Sequence, residues 1–376
     1  MKALVVNYSK MKGVGGGVFA ARSTVNAVAQ ICDEVTLLFP ADRPGESDAE
    51  VDATVRQIGV TDSAPKVVKL FRVLSRGVLH RFMTPFRELM DRERFDLVVF
   101  HNSKGSRRLV HLAKEHGAKV VTVHDNYEYE YTKDNFPWYE LLWMLPITLK
   151  GEGEAVRGSD LNLVLSVQDR DLLRRRYDPD RKIRFEVLGV FEYKDRPLPD
   201  VPDTVSENVF VITGNLGVRQ TLDSLFPWLD MYWPVLQSRC PDARLLVAGK
   251  NPGPPLKKRL ADLGAQLVDT PRDMGVVLSK GRYYVCPTSK GGGVKLRVMD
   301  GLRYGLPALV HEVSARGYEP FLDRSLFVYD SPASFRVSLD RMLSANPDRS
   351  LTLETYSSCF SFHSGVSRMK HFLLSL

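Results

Sequence analysis

GGGVKLRVMDGLRYGLP, residues Gly291 to Pro307, joins a glycine triplet to a helical pattern and closes on a second glycine. Just upstream, Arg282 to Pro287 reads as a short buried strand, and just downstream Ala308-Leu309-Val310 reads as another. The order is therefore strand, glycine turn, helix, glycine stop, strand. Gly291, Gly292 and Gly293 leave backbone N–H groups unobstructed, so a diphosphate suits the helix N-terminus, where unpaired donors and the helix dipole favour negative charge. Lys295 and Arg297 add positive charge there. Asp300, two helical turns in from Gly293, is of the residue type that accepts hydrogen bonds from ribose hydroxyls in nucleotide-binding βαβ units. Taken alone, the same residues also suit an ordinary crossover with nothing bound.

Outward from this stretch the pattern repeats. Val209 to Ile212, Arg244 to Ala248, Ala265 to Val268 and Tyr283 to Cys286 are short apolar runs separated by helical sequence. Before them, EYKDRPLPDVPDTVSE (Glu192 to Glu207) is polar and carries Pro197, Pro199 and Pro202, the composition of an extended linker. The first half opens with the strand pattern Lys2 to Tyr8, a glycine-rich turn (Gly13, Gly15, Gly16, Gly17) and a small-residue helix from Val18 to about Ile31. Val35 to Phe39, Leu97 to Phe100, Lys119 to Val123, Leu161 to Leu165 and Ile183 to Leu188 continue it. Strands alternating with helices predict parallel sheets. The expectation is an α/β protein of two Rossmann-like, doubly wound domains, residues 1–195 and 208–352, joined by a linker at 196–207. They should face each other across a cleft at the strand carboxyl ends, with a helical segment, 353–376, returning to the first domain.

Composition agrees with that class. A chain of 376 residues exceeds what one core usually serves. A hydrophobic content of 44% with 26% charged residues is that of a globular protein, and the net charge of +7 suits anionic substrates or surfaces. Cys32, Cys240, Cys286 and Cys359 are scattered, with no CxxC pair and no secretory signal, so a reducing cytoplasm is expected rather than a disulfide framework. The most apolar stretch, Trp138 to Leu149, contains Glu140 and Pro146 and is too short to span a bilayer. No nucleic-acid-binding motif is present, so no nucleic-acid partner is expected.

The second half resembles the GT-B glycosyltransferases, especially the family-four-like bacterial group, whose members carry a pattern close to GxGxKxKxLE-A-xx-GLP. Gly291, Gly293, Lys295, Arg297, Asp300, Gly305, Leu306 and Pro307 match it in order, with Arg for the second Lys and Asp for Glu. Many relatives bear two glutamates eight residues apart, and the first of those positions is Gly292 here. Thr213 to Arg219 resembles the first loop of the donor-binding domain, as does Val247 to Lys250 the strand end beside it. In the first half, His124 to Tyr131 (HDNYEYEY) is similar to an HNxEYEY segment of some members. The resemblance spans essentially the whole chain.

It implies a glycosyltransferase that moves a sugar from a nucleotide-sugar donor to a hydroxyl acceptor, a glycan or lipid-linked chain of bacterial surface polysaccharide. Asp300 would hold the ribose, Arg219 and Lys295 the diphosphate, and Gly291, Gly292 and Gly293 would give backbone contacts. It also implies that basic groups and helix N-termini, rather than a metal or other cofactor, stabilise the leaving group. Asp169-Arg170-Asp171 and Asp178-Pro179-Asp180 match a metal-binding DxD only superficially and read as solvated face or cap. His124, directly after a strand, is expected to contact the transferred sugar. Asp125 is the foremost candidate for general base, with Glu128 and Glu130 as alternatives, and the 124–131 segment taken alone reads as half-buried extended chain. Gly15, Gly16 and Gly17 suit an open acceptor-side loop or a simple tight turn. A nucleotide-sugar 2-epimerase of the same architecture and a non-catalytic nucleotide-sugar or polyanion-binding protein are the rival readings.

Lys66 to Arg94 carries eight Lys or Arg against three acids. At 100° per residue, Val67, Phe71, Leu74, Val78 and Phe82 share one face, and Lys69, Arg72, Arg76 and His80 the other. This pattern suits either a helix packed on the first sheet or peripheral contact with the anionic inner face of the cell membrane.

Overall fold

The computed structural model describes residues 1–13, 15–62, 65, 67–68, 82–103, 106–201, 207–345 and 348–376. The basic helix expected from Lys66 to Phe82, with Lys69, Arg72 and Arg76, lies outside these residues apart from Val67, Val68 and Phe82. The chain forms two compact units. Met1–Arg196 and Phe360–Leu376 make the N-terminal unit, and Pro197–Cys359 makes the C-terminal unit.

The N-terminal unit holds seven strands, β1 (Lys2–Asn7), β2 (Glu34–Pro40), β3 (Arg56–Val60), β4 (Leu97–His101), β5 (Lys119–His124), β6 (Leu161–Val164) and β7 (Phe185–Val187). All pair in parallel, in the order β3-β2-β1-β4-β5-β6-β7. The chain winds outward from β1 through β2 and β3, then restarts at β4 on the other side of β1, which makes β1/β4 the switch point. Helices cover both faces of such a sheet, so its strands read as unbroken apolar runs; Leu97 to Phe100 are all buried. Their period of two sorts the side chains. Ala3, Val5, Val99, Val121 and Val123 pack with α1 (Gly16–Ile31), and Leu4, Val6, Val98, Phe100 and Val120 with α2 (Met83–Arg92) and α3 (Arg107–Glu115). Helices α4 (Glu128–Asn135), α5 (Trp138–Gly158) and α6 (Val167–Tyr177) complete the crossovers.

The last helix, α15 (Phe362–Leu374), packs against α1 and adds Phe362, Met369 and Leu373 to its cluster. Gly365 permits this approach, because a Cβ there would stand 2.0 Å from the Phe191 ring.

The C-terminal unit has six parallel strands, β8 (Val209–Asn215), β9 (Arg244–Lys250), β10 (Gln266–Asp269), β11 (Tyr283–Cys286), β12 (Ala308–His311) and β13 (Leu326–Tyr329), in the order β10-β9-β8-β11-β12-β13. Its switch point is β8/β11. The helices are α7 (Arg219–Met231), α8 (Trp233–Arg239), α9 (Pro254–Asp262), α10 (Met274–Leu278), α11 (Leu296–Arg303), α12 (Glu312–Ala315), α13 (Pro332–Ala345) and α14 (Arg349–Phe360). Phe210, Ile212, Val247 and Val285 of the strands share one core cluster with Trp228, Trp233 and Phe335.

Two local differences from the sequence expectations have physical causes, and a third, strand β13, is a four-residue apolar strand that the expectations omit. Strand β3 contains Arg56, Gln57 and Gly59 and sits half-exposed at a sheet edge, so it carries little apolar signal. The segment after His124 is helical rather than extended. Glu128 and Glu130 occupy the first turn of α4, where carboxylates complement the helix dipole, and the Glu128 N–H donates to Glu152 Oε1 at 2.7 Å.

Candidate functional site

In the C-terminal unit the glycine loop lies at the switch point, between the end of β11 and α11. Helix α11 starts at Leu296, so Gly291 to Gly293 form a turn ahead of it rather than its first turn, and Asp300 is its fifth residue. Gly291 and Gly293 have φ of 89° and 70°, a left-handed conformation that favours glycine. At Gly291 a Cβ would also stand 2.0 Å from Gln220 Nε2, which donates to the Lys290 carbonyl at 2.9 Å and ties the loop to α7. The helix ends as the second glycine foretold. Leu306 N–H donates to the Gly301 carbonyl (3.1 Å) and Gly305 N–H to that of Leu302 (2.9 Å), with Gly305 at φ 67°.

Lys295 sits beneath the loop. Its Nζ donates to the carbonyls of Gly291, Gly292 and Gly293 at 2.7, 2.6 and 3.4 Å. In a trans peptide the carbonyl and the next N–H point opposite ways. The N–H groups of Gly292, Gly293 and Val294 are therefore turned away from the ammonium. Buried Tyr318 holds the start of the helix: its hydroxyl donates to the Lys295 carbonyl (3.0 Å) and accepts from the Met299 N–H (3.2 Å).

Arg297 bridges the segments that follow the two strands of the switch point. Its Nη1 lies 3.4 Å from Thr288 Oγ1, after β11, and its Nη2 3.4 Å from Thr221 Oγ1, in α7. Gly214 of β8 leaves it room, since a Cβ there would stand 3.0 Å from Nη1. Asp300 is the one exposed residue of α11. Arg219 opens α7 almost fully exposed, 3.6 Å from Asp223. A cavity of about 570 Å³ flanks the loop on the α7 side and is lined by Gly217, Arg219, Asp223, Phe226 and Lys290 among others, a size suited to a small ligand. Lys295, Arg297 and Asp300 are not among its lining residues.

In the N-terminal unit, His124 and Asp125 diverge, because neighbours at a strand end point to opposite faces. His124 ends β5 on the face of Thr122, whose hydroxyl meets Ser159 at the end of α5. Its Nε2 is 2.9 Å from Asn162 Oδ1 of β6, it is 1% exposed, and burial pushes its pKa down to about 4, so the ring is neutral at neutral pH.

Asp125 turns to the α1 face. Its Oδ2 lies 3.0 Å from Nε2 of His101, the last residue of β4, in an ion-pair contact rather than a well-aligned hydrogen bond. His101 Nδ1 lies 3.1 Å from Thr24 Oγ1 of α1. Buried Oδ1 of Asp125 has no partner among the described residues. A carboxylate steadied by an imidazole, at the carboxyl end of the strands beside the switch point, is the type of group that can accept a proton from a hydroxyl. Nothing in the sequence around His101 announces this role; the pairing of β4 beside β5 creates it.

Glu128, one of the two alternative candidates, is engaged within the fold. Glu128 Oε1 accepts from Asn102 Nδ2 at 2.7 Å, and Asn102 is held at φ 76°. Glu152, pushed up to about 8 chiefly by burial, accepts from the Glu128 N–H and from the Tyr177 hydroxyl at 2.8 Å. The two DxD-like segments serve as caps. Buried Asp169 and Ser166 cap the start of α6 reciprocally, and Asp178 at its end accepts from the N–H groups of Lys182 and Ile183. Gly15 is the N-cap of α1, with Gly16 and Gly17 in its first turn. All three are exposed, and a Cβ at Gly15 or Gly17 would meet nothing within 4 Å.

Residues 14–185, a little under half of the chain, match Glycosyltransferase Family 4. No curated protein matches the chain in sequence. Among solved structures, the chain is similar over 100% of its length and 99% of theirs to the lipopolysaccharide outer core galactosyltransferase WaaB, at a TM-score of 0.71 and 12% identity. HepE of Anabaena, solved in complex with UDP, matches at a TM-score of 0.67 and 11% identity with both chains fully covered. WaaG, a glycosyltransferase involved in lipopolysaccharide biosynthesis, matches at 0.63 and 15%, covering 99% of each chain. The chain has the GT-B fold of these glycosyltransferases, two parallel-sheet Rossmann-like units.

Proposed function

We propose that the chain transfers a sugar from a nucleotide-sugar donor to a hydroxyl of a growing glycan or lipid-linked acceptor in surface polysaccharide synthesis. The observation that carries this reading is the glycine loop folded over Lys295, with outward N–H groups at the start of α11 and Arg297 beside it. As the acceptor oxygen bonds to the anomeric carbon, the bond to the diphosphate breaks and the leaving group keeps the electron pair. Arg219, Arg297 and the loop N–H groups meet that growing charge while Lys295 holds the loop from beneath, so turnover should survive chelation of divalent metals. Asp300 holds the ribose, and the Asp125 carboxylate takes the acceptor proton in an inverting reaction. The GT-B structures similar to this chain include one bound to UDP, so uridine donors head the panel to test.

The deciding experiment combines thermal shift with a panel of nucleotide sugars, since a ligand of the folded state raises apparent stability, and a turnover assay on the best binder. Release of nucleoside diphosphate that requires an acceptor supports the transferase. Isomerisation of the donor alone would make the chain a 2-epimerase, and binding without turnover would make it a non-catalytic binder.

The reading places the chain in the cytoplasm, peripheral at the inner face of the membrane, with Lys69, Arg72 and Arg76 against anionic lipid. Replacing all three with Gln should then remove about 1 kcal/mol of attraction per charge.

A further inference from the structure

Helix α5 is too long for the sheet it serves. Its 21 residues span about 31 Å at the α-helical rise, whereas the six residues of β5 beside it span roughly 20 Å. A crossover helix between the parallel strands β5 and β6 starts at their carboxyl edge and runs back along the sheet. Its surplus therefore lies at its beginning.

Burial divides the helix accordingly. Every buried residue lies at or after Thr148. There a Cβ at Gly153 would stand 3.0 Å from Tyr177 of α6, and one at Gly158 would stand 2.5 Å from Val110 of α3, too close to be accommodated without a shift. Before Thr148 none is buried, and Pro146 stands exposed close to the joint between the two halves. The unpacked half is nonetheless apolar. Trp138, Tyr139, Leu142 and Trp143 are 75, 57, 73 and 39% exposed, and Glu140 is the only charged side chain from Trp138 to Leu149. Tyr131 of α4 is exposed as well.

These four side chains leave on the order of 500 Å² of apolar surface uncovered, the size of the largest patch on a monomer, about 300–600 Å², which is often functional. A stable dimer needs about 800 Å² per partner, so a second copy on this ridge alone would be under-supported. A lipid interface needs no matching partner surface. It also selects these residue types, Trp and Tyr at headgroup depth with aliphatic side chains below. Lys133, Asp134 and Lys150 bracket the ridge with mixed charge, so attraction there does not depend on anionic lipid.

We infer that the first half of α5 is a membrane-interface anchor that inserts Trp138, Tyr139, Leu142 and Trp143 into the headgroup region of a bilayer by hydrophobic contact. The anchor stands apart from the sugar-transfer reading and from the basic segment at Lys66 to Arg94, because it requires neither turnover nor negative lipid.

The test is flotation of the full chain with phosphatidylcholine vesicles, with and without added phosphatidylglycerol, at low salt and at about 1 M salt, where charges are screened within about 3 Å. Wild type should float with both compositions at both salt levels. Tryptophan emission should shift to the blue on binding, a change that reports Trp138 and Trp143 because Trp228 and Trp233 are already buried. The double variant Trp138→Gln, Leu142→Gln changes only exposed positions, so it should keep the wild-type melting temperature and lose binding at least tenfold. Absence of flotation, binding confined to anionic vesicles at low salt, or equal binding by the variant would overturn the anchor. So would a dimer in solution that the variant converts to monomer while vesicles have no effect on the wild type.

Discussion

The anion-suited loop of the C-terminal unit arrives in one run of sequence, Gly291 to Asp300, whereas the polar chain of the N-terminal unit is gathered from Thr24, His101 and Asp125 on α1, β4 and the end of β5. Both stand at or beside the switch point of a parallel sheet. They differ in the atoms they use. The loop offers backbone N–H groups, which a local turn sets out in order without help from distant residues. A carboxylate proposed as a proton acceptor is a side chain, and steadying one of its oxygens takes groups from separate elements brought within about 3 Å.

The strongest way to break this comparison is Asp125→Asn, which keeps the shape but removes the basic oxygen. Turnover should fall by about 10²–10⁴-fold, the range of a general base, while nucleotide binding measured by calorimetry stays unchanged. An unaltered rate would reduce the Thr24–His101–Asp125 chain to a structural contact.

Next in size is the pH behaviour of His124, which separates it from its neighbour Asp125. Its pKa falls from 6.5 to about 4 in the folded protein, so the unfolded chain binds more protons between those values. The stabilisation is full above pH 6.5 and is lost as pH falls toward 4, by about 3 kcal/mol in all. Glu152, raised from 4.5 to about 8, acts in the opposite sense: its contribution is present below pH 4.5 and lost as pH rises toward 8. In urea titrations, His124→Gln should flatten the acid limb of the stability curve and leave the alkaline limb as in wild type. An unchanged acid limb would mean that His124 is charged in the folded state.

The smallest effect sharpens the other side. Asp300→Ala should weaken nucleotide binding by about 1.5–3 kcal/mol, the scale of hydrogen bonds to a charged group, with the protein's melting temperature nearly unchanged because Asp300 is exposed. Equal affinity in calorimetry would remove Asp300 from the ribose.

Periodicity made most of the fold legible. Unbroken apolar, β-branched runs such as Leu97 to Phe100, alternating with helical sequence, suit strands covered on both faces, and Gly305 marked the stop of α11 because few other residues adopt its backbone angle. The half-polar edge strand β3 was not legible, because Arg56 and Gln57 dilute its apolar signal. The alternation of tyrosines from Tyr127 to Tyr131 imitated a strand, while contacts of Glu128 with Asn102 and Glu152, from 26 and 24 residues away, accompany a helix.

The sequence alone determined the strand–helix alternation, the glycine loop and the composition of the groups around it, since each depends on residues within a turn or two of one another. Tertiary structure alone decided that His101 reaches Asp125 and that the first half of α5 carries no buried residue. Each of these rests on distances between elements set by sheet order and helix length, and local propensity carries no record of either.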